Sequence, residues 1–407
     1  MKKIYFYTFF QFALFHGPII ILFYQHHGLT LSNIYLLQTL HYFAKLAFEI
    51  PAGVFADNYK RKYSLFWGAL LVSASYIGIF YSQMFILFAL FEIIAGIGRS
   101  LISGADSALI YDTLKRKNSL SLYHHVESIN FAILNMAFIL YAVASGYIAK
   151  INLSLPYLFS AVFIGVAAIL ALTIDEPKEK HKAEDFTKIN STGFAIGLKA
   201  IKQSKTLSFL TMFGAIFLFL RELNFYTEQP LLSKVGIEIQ FFGFLPAIGA
   251  AIWAGTSYFS PKIIAYIGEK RSFLLVLILF FLPSLWLTKS TERMSDLAIY
   301  VMYYSSYGLG EPLIRINSNS SIKDSSIRTT VLSIQSALGL LPYCLFASFF
   351  GYLLDTKPLN VGFGVFSAIS LCLLVYTIYW LWVNKQENFE NSATLELSNT
   401  SEKQKAV

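Results

Sequence analysis

Cysteine is nearly absent: Cys344 and Cys372 are the only two in 407 residues, each inside an apolar run. That argues against a disulfide framework and leaves both as small packing residues. Charge is scarce too, at 14% of residues against roughly 25% in soluble domains. Apolar residues make up 56% of the chain and the mean hydropathy is +0.56, which places the protein in a bilayer. No G-x-x-x-x-G-K-[ST] phosphate loop occurs, which argues against direct ATP drive; no H-E-x-x-H occurs, which argues against an embedded metalloenzyme. The 32 Lys and Arg against 24 Asp and Glu sit in short gaps between hydrophobic runs. They read as a topology signal, not as a nucleic-acid footprint.

What is present is a series of apolar runs, each near the ~20 residues that cross a hydrocarbon core. They lie roughly at 4–24, 31–56, 64–81, 85–111, 121–147, 155–174, 207–228, 238–260, 272–288, 296–318, 329–353 and 360–383. The start, MKKIYFYTFFQFALFHGPIIILFYQ, is basic like a signal peptide, but its run from Ile4 to Tyr24 exceeds an h-region and has no small-x-small site. It is expected to stay as the first span. With both termini cytoplasmic, the inner gaps and tails hold 23 Lys and Arg and the outer gaps hold five, the bias that the positive-inside rule requires. The long polar stretch near 175–206 mixes charges without an apolar period, so it reads as a cytoplasmic linker between a bundle over 1–174 and another over 207–384; residues 385–407 read as a disordered cytoplasmic tail.

The two bundles resemble each other. VESINFAILNMAFILYAVASGYI (126–148) aligns without a gap to VLSIQSALGLLPYCLFASFFGYL (331–353), pairing Gly146 with Gly351; GLTLSNIYLLQTL (28–40) aligns to GIEIQFFGFLPAI (236–248). The offsets of 205 and 208 point to a parallel duplication, an arrangement that supports alternating access. The expected fold is an all-α membrane protein: twelve transmembrane helices in two pseudo-symmetric six-helix bundles around a central cavity.

Between the second and third runs stands EIPAGVFADNYKRKYSLF. In it Gly53, Asp57, Arg61 and Lys62 match a G-x-x-x-D-R-x-G-R-R pattern, with Asn58 and Lys60 departing from it; the corresponding PKIIAYIGEKR keeps Gly268, Lys270 and Arg271 but lacks the aspartate. In this pattern, the twelve runs and the central linker, the chain resembles the major facilitator superfamily. The resemblance implies that Asp57 and Arg61, with Gly53 and Lys62, help to latch the halves on the cytoplasmic side. Asp106, at the end of the fourth run, is grouped with them. On physical grounds, an aspartate facing a neighbouring helix N-terminus contributes ~0.3–2 kcal/mol, enough to bias a two-state equilibrium.

Charges too deep for topology are costly and normally face a cavity or a partner. Lys45 and Glu49 stand at i, i+4 and are expected to neutralise each other. Glu92, Arg99 and Asp106 recur every seven residues, so an unbroken helix puts them on one stripe, each about 10 Å from the next. GIGRSLIS (96–103) aligns to GLGEPLIR (308–315), setting Arg99 against Glu311 across the cavity. Arg221, Glu222, Arg315, Asn317, Gln11 and His16 complete the expected substrate and proton-coupling site, with His41, Asn130, Asn135 and Asn224 as further polar candidates and Tyr303, Tyr304 and Tyr307 as aromatic walls. The doublets His26–His27 and His124–His125 lack the company a metal site needs, and no cofactor is expected.

The expected function is secondary active transport of a small organic solute coupled to protons, with Glu49, Glu92 or Glu311 as the coupling acid. Partners are the solute, protons and the bilayer, not nucleic acid; the protein is expected as a monomer in the inner membrane. Efflux is the first expectation and uptake of a metabolite or siderophore-like chelator the alternative. The family's drug-proton antiporters tend to carry a Gly-Pro motif in the fifth span, and this chain has no proline there, which weighs against export. A receptor or scaffold of transporter fold is the remoter reading.

Overall fold

The computed structural model describes residues 1–119, 122–176, 186–291, 293–322 and 328–383. Its described residues are helices and short connections. In chain order the helices are α1 Lys2–Gln11, α2 Ile20–His26, α3 Leu31–Asn58, α4 Arg61–Tyr81, α5 Phe85–Ile102, α6 Ala105–Arg116, α7 Tyr123–Ile151 and α8 Leu155–Leu172 in the first half. The second half holds α9 Phe186–Gln203, α10 Lys205–Lys234, α11 Phe244–Ile267, α12 Glu269–Leu287, α13 Tyr300–Ser321, α14 Arg328–Thr356 and α15 Leu359–Val383. Helices are the natural answer to a bilayer, where each main-chain polar group must find its partner within the segment.

Nine helical stretches among the described residues are long and apolar enough to cross a membrane. The three spans that fall short of that measure are the first, second and tenth, and each has a reason. The first is broken: α1 ends at Gln11, a 3-10 turn occupies Gly17–Ile19 with Pro18 inside it, and α2 follows. The second, α3, carries Lys45 and Glu49, and the tenth, α13, is rich in Ser, Tyr and Asn around Glu311 and Arg315. All three contribute residues to the lining of the interior. Outward positions are apolar, as lipid contact demands: Phe349, Leu345 and Trp382 are all more than half exposed.

Two departures from the sequence reading matter. The fourth span is not one helix: Gly104, at φ 78°, breaks it between α5 and α6, so Asp106 does not continue the stripe of Glu92 and Arg99. A left-handed residue at that point suits glycine because it has no Cβ to clash. The polar connection, in turn, contains a helix. On α9, Leu198 and Ile201 are one turn apart and pack with Leu207, Ile322, Val331 and Ile334, a period too short to stand out against the flanking lysines. The expected tail at 385–407 lies outside the described residues.

The halves meet along two crossings, α3 with α14 and α7 with α11. Both crossings are made by glycines that the internal repeat pairs. A Cβ on Gly351 would meet Leu31 O at 2.8 Å and Ser32 Cα at 2.8 Å; one on Gly146 would meet Gln240 O at 2.5 Å and Ile239 O at 2.6 Å. Leu31 and Ser32 align with Ile239 and Gln240 at the offset of 208, so both alignments describe one two-fold interface. Call the end bearing Met1 and the end of α15 proximal and the opposite end distal. These crossings close the distal end. There the Asp355 carboxylate accepts from the Leu31 and Ser32 amides, each at 2.8 Å, capping the start of α3 from the other half, while Lys150 donates to Gln240. Gln229 of α10 reaches into the broken first span, accepting from Ile21 N at 2.8 Å and donating to Gly17 O at 2.9 Å.

Candidate transport cavity

Between the halves lies a cavity of about 710 Å³. Its proximal mouth includes Ser103 and Gly104, both exposed, and its distal floor includes Glu92, Tyr226 and Glu228, all buried. Of the residues singled out in the sequence, Gln11, His16, Lys45, Glu92, Arg99, Asp106, Arg221, Glu222 and Glu311 line it, joined by His41, Asn135, Asn224, Tyr304 and Tyr307. Glu49, Arg315 and Asn317 are not among its lining. Arg315 is exposed, and Asn317 is buried, donating to the Leu313 carbonyl of its own helix. Asn130 is also turned to packing, accepting from Thr8 Oγ1 at 2.7 Å.

Glu92 is 3% exposed and fully engaged. Tyr24 Oη donates to its Oε1 at 2.7 Å, Gln38 Nε2 approaches the same oxygen at 3.3 Å, and His41 Nδ1 lies 2.9 Å from Oε2. Gln38 accepts in turn from Tyr226 Oη of the other half at 2.9 Å. The line His41–Glu92–Gln38–Tyr226 is therefore a hydrogen-bonded thread across the two-fold interface. His16, by contrast, is held among aromatics: its Nδ1 is 3.0 Å from Ser160 Oγ and its ring stacks on Tyr157 at 4.6 Å.

The opposite wall is built on Arg221. Its Nη1 pairs with Glu311 and its Nη2 with Glu222 at 2.5 Å, its guanidinium lies 5.4 Å from the Trp253 ring, and Tyr42 of the first half donates to Glu222 at 2.9 Å. The expected opposition of Arg99 and Glu311 thus takes a different form. Both line the cavity from opposite halves, but the carboxylate is already taken by a cation of its own half. Arg99 makes no ion pair among the described residues, and its Nη2 is buried without a hydrogen-bond partner. Lys45 and Glu49 likewise form no ion pair among the described residues, one helical turn apart though they are; Lys45 points into the cavity.

Glu228 was not singled out in the sequence. It is 3% exposed, and Tyr304 Oη donates to its Oε2 at 2.8 Å. The expected seventh span ends at residue 228, whereas α10 runs on to Lys234 and carries the acid inside the helix. The signal available was an acid embedded in FYTEQPLL, followed by apolar residues on the same helix. Gln38, Tyr24 and Tyr226 were missed because neutral hydrogen-bonding side chains in a span carry no such signal.

Among the described residues, the contacts of Arg61, Lys62 and Asp106 from the expected latch lie within one half. Arg61 Nη1 pairs with Asp112 Oδ2 at 3.0 Å, and the Arg61 and Lys62 amides donate to the Glu176 carboxylate at 2.6 and 3.1 Å, which caps α4. A carboxylate at a helix N-terminus meets unpaired N–H groups and the positive end of the dipole. Gly53 lies exposed on α3 with open space around its Cα, and the side chain of Asp57 lies outside the described residues. Asp106 accepts from the Ser107 amide beside the cavity mouth.

Two six-helix halves with a two-fold crossing pattern and a polar chamber between them are the architecture that the family resemblance implied. The sequence model of the Major Facilitator Superfamily matches residues 4–339. The chain belongs to the major facilitator superfamily. It is a multi-pass membrane transport protein and not an enzyme. An uncharacterised transporter of this type, YxaM of Bacillus subtilis (strain 168), is 25% identical over 353 residues, 82% of this chain and 84% of the relative. Among solved structures, the nucleoside transporter NupG superposes with a TM-score of 0.76 at 12% identity, covering 93% of this chain and 98% of that one. A D-xylose-proton symporter superposes with a TM-score of 0.68 at 13% identity, over 92% and 95% of the two chains.

Proposed function

We propose that this superfamily member carries a small organic solute across the cytoplasmic membrane by alternating access, driven by protons, as a monomer with both termini cytoplasmic. The distribution of lysine and arginine between the two ends supports that orientation, and the proximal mouth then opens to the cytoplasm. Both walls of the cavity come from one chain, so a single copy is a complete unit. The observation that carries the reading is the thread from His41 through Glu92 and Gln38 to Tyr226. Rocking the halves apart at the distal end removes Tyr226 from Gln38 and frees that side chain to rearrange about Glu92. A buried carboxylate whose donors change in this way takes up and releases a proton in step with the movement. The superposed D-xylose-proton symporter is named for the same pairing of an organic solute with a proton.

The test is reconstitution into proteoliposomes with a trapped pH dye and a labelled solute panel. The wild-type protein should concentrate solute only under a proton gradient, and Glu92→Gln should equilibrate solute without concentrating it. Accumulation by the wild type that ignores the gradient would remove proton drive from the account.

A further inference from the structure

The two walls of the cavity hold their charges differently. On the first half, Lys45 and Arg99 both line it, and neither forms an ion pair with a carboxylate among the described residues, although Glu49, one turn further along α3, acts on Lys45 more strongly than Arg99 does. The lining acids of that wall are engaged elsewhere: Glu92, seven residues from Arg99 and about 10 Å along the helix, is taken up by His41, Tyr24 and Gln38, and Asp106, beyond the break at Gly104, accepts from the Ser107 amide at the mouth. Two cations facing a low-dielectric chamber are costly together, and an anion placed between them relieves both desolvation and mutual repulsion. The buried, unpartnered Nη2 of Arg99 marks where hydrogen bonding is owed.

The second half is the converse. Glu222 and Glu311 share the single cation Arg221, and Glu228 has Tyr304 as its hydrogen-bond donor. One guanidinium between two carboxylates leaves an excess negative charge on this wall. Beside it stand Trp253, already within 5.4 Å of a cation, and Tyr304 and Tyr307, whose ring faces suit a cationic or planar group. Asn224 and Tyr307 hold each other at 2.8 Å and keep that wall in place.

We infer that the transported solute is a zwitterion with an apolar or aromatic body, its anionic group held by Arg99 and Lys45 and its ammonium by Glu311 and Glu222. This rests on the transport reading above and deepens it. The ends of such a solute bridge the two walls, so binding itself draws the halves together, which neither an anion nor a cation of the same skeleton does. The volume of about 710 Å³ accommodates an amino acid or a short peptide with room for water.

The experiment reads binding by thermal unfolding of the purified full chain, independently of transport. The probes are L-phenylalanine and L-phenylalanyl-L-phenylalanine, each compared with its N-acetyl form, which lacks the cation, and its C-terminal amide, which lacks the anion. At least one zwitterion should stabilise the wild type, with affinity about tenfold above both its derivatives. Arg99→Gln should abolish the distinction between zwitterion and amide while keeping that between zwitterion and N-acetyl form; Glu311→Gln should do the reverse. Arg99→Lys should retain the wild-type ranking, a rescue that a merely structural arginine would not give. A derivative that binds as well as its parent, stabilisation by none of the zwitterions, or variants that lose all binding without this crossed pattern would each overturn the inference. Proton-driven transport of a non-zwitterionic solute would overturn it while leaving the transport reading intact.

Discussion

The two halves share a frame and differ in the chemistry hung on it. Gly146 and Gly351 make the same close approach to the start of the partner span, yet four residues further along the same alignment stand Lys150 and Asp355. The aspartate caps a helix across the interface, while the lysine makes one exposed hydrogen bond to Gln240. The buried acids differ in the same spirit. At the offset of 212, Glu92 falls on Tyr304, so each half holds a tyrosine–glutamate pair between its first and fourth spans with the partners exchanged. Glu92 has a histidine against it, and Glu228 has a phenol. Duplication preserved what sterics demand, and charge was free to diverge. That divergence leaves Lys45 and Arg99 without ion pairs on one wall, among the described residues, and two carboxylates sharing Arg221 on the other.

The largest effects should come from breaking the shared frame. Gly146→Val and Gly351→Val each force the crossing apart at the distal end, an overpacking worth about 3 kcal/mol, and turnover in proteoliposomes should fall about 100-fold in both. Purified variants should still unfold cooperatively. If one substitution is silent while the other abolishes transport, the two crossings are not equivalent.

The next contrast separates the acids. Glu92→Gln leaves His41 without its carboxylate and should lower stability by about 2 kcal/mol. Glu228→Gln keeps an oxygen for Tyr304 and should cost under about 1 kcal/mol. Denaturation in detergent followed by tryptophan fluorescence gives both numbers, and the reverse order would show that Glu228 has a counter-charge.

The smallest effects belong to the distal clasp. Asp355→Asn weakens a cap at a helix start and should cost about 1 kcal/mol. Lys150→Gln touches an exposed contact and should cost a few tenths at most. Labelling a cysteine introduced at Ser32 from the distal side would report both as increased opening, larger for the aspartate variant.

Much of this was legible beforehand for physical reasons. Span lengths follow from bilayer thickness, and Gly146 with Gly351 is one of several matches in the internal alignment, whose reason, a close backbone approach, is visible only in the structure. Deep charges pointed towards the cavity, and six of those named for it, Lys45, Glu92, Arg99, Arg221, Glu222 and Glu311, line the chamber. The pairings were not legible. Arg221, Glu222 and Glu311 meet because α10 and α13 pack side by side, a fact no periodicity within either helix contains. The bend at Gly104 hid for a related reason: a glycine among apolar neighbours reads equally well as packing, and its positive φ exists only in three dimensions.

One contact has a bearing on how the distal gate moves. The first span is discontinuous around Gly17, and Gln229 from the opposite half bridges the gap by serving both an amide and a carbonyl of it. A foreign side chain thus stands in for a missing stretch of that helix's own ladder. In the alternating-access cycle proposed above, outward movement at this end would withdraw the splint, and two main-chain groups at membrane depth would have to be wetted or served by the cargo. On that proposal the opening stroke includes hydration of a backbone seam as well as the parting of side chains, and heavy-water effects on its rate should be concentrated there.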